Sequence, residues 1–209
     1  MEAIIQKITI LAMPILLALT LHEYAHGWVA NRLGDPTARL LGRLTLNPIR
    51  HLDPMGTLVF VMTGMIGWAK PVPVNALQLR NPRKDMMWVA LAGPLTNLML
   101  AALSVVCFKL LSSINIPSAE AIVEPLAIMA RASIRINVAL AVFNILPIPP
   151  LDGSRVMAWI LPYRQAEFYE QVEPYGFIIL LLLVFTGIVG AFLWPVIRLI
   201  EGILMGGLF

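Results

Sequence analysis

From Gly176 to Ile197 the chain carries no formal charge. A helix needs about 20 apolar residues to cross a bilayer. In hydrocarbon every backbone N–H and C=O must be satisfied within the segment, so a run of this kind is restricted to a helix. Three other stretches meet the same requirement: Ala3 to Val29, Met86 to Leu111 (uncharged until Lys109), and Leu126 to Pro147. The last holds Arg131 and Arg135 near its start, four residues apart and able to snorkel to one interface. Of the 209 residues, 59% are hydrophobic and 13% charged, whereas soluble domains average about 25% charged. These features predict an all-α polytopic membrane protein with about four to five transmembrane helices. The net charge of +3 then marks cytoplasmic loops and implies no nucleic-acid partner.

The region between the first two long spans is different. Arg39 to Asn47 alternates in places and reads as a short strand. Gly56 to Ala69 is apolar but short, and Lys70-Pro71-Val72-Pro73 cannot continue a helix. Gly56–Asn75 is therefore expected to be a re-entrant or edge-strand element, with a fifth crossing as the alternative. Backbone of that kind survives at membrane depth only beside protein or a wet cavity. Arg32, Arg39, Arg43, Arg50, Lys70 and Arg80 all lie in this region, and Glu120 and Glu124 lie in the next loop. The positive-inside rule then places residues 32–85 in the cytoplasm and the N-terminus outside.

The only cysteine, Cys107, permits neither an intramolecular disulfide nor a four-cysteine metal site, and reads as a buried thiol. No signal-peptide pattern precedes the first span, which is expected to be retained. One membrane-embedded domain, residues 1–209, is the simplest organisation.

The first span ends in His22-Glu23-Tyr24-Ala25-His26. On a helix the two histidines lie one turn apart on one face, so both imidazoles can reach one Zn²⁺ while Glu23 acts on the attacking water. Ionisable groups at the end of an apolar run are costly to bury, which marks them as a functional site. Two histidines leave a catalytic zinc one protein ligand short. Only His51 remains as another histidine, so a carboxylate is the natural third ligand. Asn144-Ile145-Leu146-Pro147-Ile148-Pro149-Pro150-Leu151-Asp152-Gly153 supplies a candidate in Asp152. Its prolines must unwind the end of the third span, and Gly153 allows a sharp turn after the carboxylate. The alternative for Asp152 is an ordinary Asp-Gly turn.

HEYAH together with NILPIPPLDG resembles the site-2 protease family of intramembrane zinc metalloproteases. The likeness extends through Gly34-Asp35-Pro36-Thr37, Asn47 to Pro54, Gly67 to Asn75 and Ala92-Gly93-Pro94-Leu95-Thr96-Asn97, in a short form without PDZ or CBS domains. The resemblance implies one Zn²⁺ per chain held by His22, His26 and Asp152, with Glu23 as general base and proton carrier. It also makes Asn97 and Asn144 candidates for holding substrate backbone or the developing oxyanion. For Asn97 the alternative is helix–helix hydrogen bonding, and for Asn144 a cap on the unwound carbonyls. His51 reads as a loop-stabilising or gating residue, since a fourth permanent protein ligand would close the position that water needs. The expected substrates are single-span membrane proteins within the lipid bilayer. The expected location is the plasma membrane, with the site toward the cytoplasm. A helix hides its carbonyls, so the substrate must unwind; an edge at Leu40–Asn47 or Gly67–Asn75 would then capture it by strand addition. A metal transporter with a midplane site is the competing reading. It gives Glu23 no task and would be favoured by internal repeats, which the sequence lacks.

Overall fold

The computed structural model describes residues 2–63, 67–114 and 116–206. Its elements in order are α1 (Glu2–Leu33), α2 (Thr37–Leu40), α3 (Pro54–Thr63), α4 (Pro82–Ser112), α5 (Glu120–Asn144), α6 (Asp152–Ile160), α7 (Tyr163–Gln171), α8 (Glu173–Phe185) and α9 (Ile188–Met205). Short 3₁₀ turns lie at Pro48–His51, Ala76–Gln78 and Pro117–Ala119. The architecture is all-α and polytopic. Pro82–Ser112, Pro117–Asn144 and Ile188–Met205 are long and apolar enough to cross a membrane, and α7 with α8 makes a further candidate bent by 68°. At 32 residues, α1 is about 48 Å long by its rise per residue, more than the hydrocarbon thickness.

Helices α4 and α5 form the most extensive pair, and α1 lies across both. Small residues allow this close approach: Ala18, Ala30 and Ala101 are fully buried. The exposed face of α4 carries Leu95, Met99, Leu103, Val106 and Leu110. This helical stripe of apolar side chains points outward, as lipid contact requires. Cys107 lies on the same side and is exposed. The expected buried thiol is therefore corrected: an apolar helix in lipid has no need to turn its sulfur inward.

The apolar core lies between α4, α5, α8 and α9, around Val105, Ile134, Val138, Leu180, Leu193 and Ile197. At its margin the largely exposed Arg135 of α5 pairs with the buried Glu201 of α9, at 3.1 Å from Nε to Oε1. The guanidinium is thus satisfied by a carboxylate on the neighbouring helix.

Two expectations change, and the third segment takes a more definite form. Gly176–Ile197 is not one helix, because the chain breaks at Gly187, whose φ of 77° ends α8 and starts α9. Such a φ is strained for a residue with a Cβ. Arg39–Asn47 contains no strand: Thr37–Leu40 is helical, Gly42 turns at φ 64°, and the rest is irregular. Gly56–Ala69 contains most of α3, whose 10 residues reach only about 15 Å, half a bilayer. Residues 64–66 of that run lie outside the described ones. The β character is reduced, among the described residues, to one antiparallel bridge between Leu52 and Ala69.

The extended segment 67–75 nevertheless packs beside the first span. Lys70 donates to the His51 carbonyl, Val72 to Glu23 and Asn75 to Asp35, while Arg43 Nη2 reaches the Lys70 carbonyl at 2.8 Å. Pro71 and Pro73 have no N–H. Between Lys70 and Asn75 only the Val74 N–H remains uncommitted. Few backbone donors of residues 70–75 are therefore free.

Candidate metal centre

Helix α1 sets His22 and His26 one turn apart, and both rings turn inward toward α4, where they are buried. Their Nε2 atoms are 3.0 Å apart. The third corner comes from α6. After Asn144 the chain unwinds through its prolines and re-enters a helix at Asp152, whose carboxylate lies 3.2 Å from His22 Nε2 and 3.4 Å from His26 Nε2. Two glycines make this convergence possible. A Cβ on Gly93 of α4 would lie 2.5 Å from both His22 Cε1 and His26 Nε2, so only hydrogen fits against the imidazoles. A Cβ on Gly153 would lie 2.0 Å from the Ile145 carbonyl oxygen. That glycine lets the start of α6 back onto the end of α5.

The far end of α6 is held by Arg83 from the first turn of α4. Its guanidinium donates to the carbonyls of Ala158 at 2.9 Å, Trp159 at 3.2 Å and Leu161. A cation at those terminal carbonyls also suits the helix dipole. Tyr169 of α7 donates to the Pro147 carbonyl at 2.8 Å and ties down the proline segment.

The hydrogen bonds on the opposite ring nitrogens decide what the three-cornered cluster can bind. His26 Nδ1 donates to the Val89 carbonyl of α4 at 2.7 Å. His22 Nδ1 donates to Asn97 Oδ1 at 2.6 Å. With Nδ1 carrying the proton, each neutral ring presents a bare Nε2 lone pair to the other and to a carboxylate. Asp152 Oδ2 is buried and makes no hydrogen bond despite its nearness to His22. Lone pairs and an anion packed this closely need a cation among them. Tetrahedral zinc with bonds near 2.0–2.1 Å has ligand atoms separated by about 3.3 Å. The two imidazole nitrogens are 3.0 Å apart, and Asp152 sets Oδ2 at 3.2 Å from His22 and Oδ1 at 3.4 Å from His26, so each neighbouring pair lies close to that separation.

Other candidates lie around this cluster. Glu23 is half-buried, and one of its oxygens accepts the Val72 N–H at 2.8 Å. Asn97 is 0% exposed, and its Nδ2 donates to Asn137 Oδ1 at 2.8 Å and toward the Ala18 carbonyl at 3.4 Å. Its side chain is engaged on both edges and faces His22. Asn144 ends α5, with Nδ2 on the Leu140 carbonyl at 3.0 Å. His51 is 1% exposed and donates from Nε2 to the Thr45 carbonyl at 2.8 Å, which gives it a place in the loop fold. Asn137, Gly93 and the Val89 carbonyl were not among the residues expected from sequence. The only signal for Asn137 was a carboxamide inside an apolar helix.

The sequence matches the description of Peptidase family M50 over residues 10–130 and 109–186. The chain belongs to peptidase family M50. It is similar to the putative zinc metalloprotease YwhC of Bacillus subtilis, with 39% identity over 188 residues, 90% of this chain and 85% of the relative. It is also similar to the putative zinc metalloprotease Rip2 of Mycobacterium tuberculosis, with 32% identity over 164 residues, 76% of this chain and 59% of the relative. The putative zinc metalloprotease MJ0611 of Methanocaldococcus jannaschii shares 42% identity over 74 residues, 34% of this chain and 32% of the relative. No solved structure matches. The protease is an integral membrane protein of the zinc metalloprotease class, and its family does not favour the transporter reading.

Proposed function

We propose that His22, His26 and Asp152 hold one Zn²⁺ per chain, and that residues 1–209 form a single domain cutting single-span membrane proteins in or near their transmembrane segments. The observation that supports this reading is the convergence of two imidazole nitrogens, 3.0 Å apart, on the Asp152 carboxylate, whose oxygens lie 3.2 and 3.4 Å from them, close to the ligand separation around tetrahedral zinc. When bound, the metal supplies Lewis acidity toward the scissile carbonyl and makes water a better acid.

The chain's own groups do the rest. Glu23 follows His22 directly, and the Val72 N–H fixes one of its oxygens while the other is left for the attacking water. It takes the water's proton as the C–O bond forms and returns it to the amine nitrogen as the C–N bond breaks. Asn97 serves by orienting His22. Asn144, at the unwound end of α5, is the candidate donor to the oxyanion; losing such a donor costs on the order of 10²–10³ in rate. The basic residues between the first two long spans support a site on the cytoplasmic side of the plasma membrane.

The test is cleavage of a single-span substrate in proteoliposomes. Zinc-loaded protein is expected to cut it, and Glu23→Gln to retain zinc while cleavage falls by at least about 10³-fold. Metal flux without proteolysis would replace this reading with the transporter.

A further inference from the structure

We propose that Asn137 is a positioning residue that determines which edge Asn97 turns toward His22, and so which imidazole nitrogen is left bare for the metal. The proposal rests on the reading of His22 as a zinc ligand.

The two histidines are held in different ways. His26 donates to a backbone carbonyl, Val89, which cannot change its polarity. His22 donates to a side-chain amide, whose oxygen and NH₂ edges have nearly the same shape. If Asn97 were reversed, its NH₂ would face Nδ1, which would then accept, and the proton would sit on Nε2 where the metal belongs. Sterics do not forbid this; hydrogen-bonding partners must. Asn97 Nδ2 has one short acceptor, Asn137 Oδ1 at 2.8 Å, and one long one, the Ala18 carbonyl at 3.4 Å.

Asn137 is a side-chain amide too and could pass the same ambiguity outward. It does not, because its Nδ2 donates to the Ser133 backbone carbonyl at 2.9 Å and to Ser133 Oγ at 3.1 Å. Ser133 Oγ is in turn 2.8 Å from Ser104 Oγ on α4. Polarity thus runs from a fixed carbonyl on α5 through two amides on two helices to an imidazole on α1. Asn97 and Asn137 are 0% and 1% exposed, so water cannot substitute at either joint. Partners behind a metal-bound histidine typically cost 10–100-fold in metal affinity when removed.

The experiment measures zinc affinity of the purified full chain by competition with a chromophoric chelator, with thermal unfolding of the metal-free form alongside. Asn137→Leu is expected to weaken zinc binding about 10- to 100-fold. The decisive variant is Asn97→Asp, because a carboxylate has two accepting edges and no wrong orientation. Asn97→Asp/Asn137→Leu is therefore expected to bind zinc as tightly as Asn97→Asp alone. A purely structural Asn137 would instead make the double variant lose affinity in proportion to Asn137→Leu. That outcome, or an Asn137→Leu affinity within twofold of wild type, overturns the proposal. Should the leucine variant fail to fold, ¹⁵N chemical shifts of His22 in the metal-free wild-type chain at alkaline pH replace it. The Nδ1–H tautomer is expected, and the Nε2–H tautomer overturns the proposal. His22→Ala with undiminished zinc affinity would instead show that the ligand assignment underneath is wrong.

Discussion

Two faces of α5 meet two different parts of the molecule. Toward α4 and α1 it presents Ser133 and Asn137, each bound to a polar atom on a named partner. Toward α8 and α9 it presents Ile134, Val138 and Val142, packed among Leu180, Leu193 and Ile197. Each polar residue precedes an apolar one by a single position, about 100° around the helix. The apolar face holds the bundle together by packing and is indifferent to the direction of any one bond. The polar face is directional, and its hydrogen bonds lead from Ser133 through Asn137 and Asn97 to His22. Stability and metal selectivity are therefore separable on a single helix.

That separation makes four predictions, in order of expected effect. Gly93→Ala places a methyl group where the two imidazoles meet. Zinc binding measured by chelator competition is expected to fall by at least about 100-fold, because either ring must leave its Nδ1 partner. The helices should remain intact by circular dichroism. Ile134→Ala, on the opposite face, is expected to cost about 2–5 kcal/mol of stability through its cavity and to leave zinc affinity unchanged. A large loss of zinc affinity there would join the two faces into one unit.

A smaller effect is expected at Arg83. Arg83→Gln removes the charge that holds the last carbonyls of α6, and Asp152 sits at the other end of that helix. Affinity should drop several-fold, mostly as faster zinc release in stopped-flow chelation. The smallest effect belongs to Ser104→Ala. It removes only the outermost hydroxyl contact of the polar face, worth about 1 kcal/mol or less, and should leave the zinc affinity within about threefold of wild type.

Much of this site is legible in the sequence because its chemistry depends on spacing. HEYAH fixes two rings by helical period, and the prolines before Asp152 announce a broken helix. The polar support behind the rings is harder to read, because Asn137 inside Ile134–Val142 differs from an ordinary buried amide only in what it touches. Gly93 shows the same limit: its reason lies in two side chains from another helix. Local pattern also misleads where no partner strand exists, as at Arg39–Asn47, whose alternation produces no ladder while Gly42 turns the chain. The break at Gly187 was hidden by the apolar residues on both sides, which serve α8 and α9 equally well.

The most direct test of the account is the zinc content of wild-type and Asp152→Ala protein after dialysis against a chelator of fixed affinity. A site built on His22, His26 and Asp152 is expected to hold one zinc per wild-type chain and almost none in the variant, because the two imidazoles alone leave the ion without its charged ligand. Equal zinc retained at equal affinity by both would contradict it.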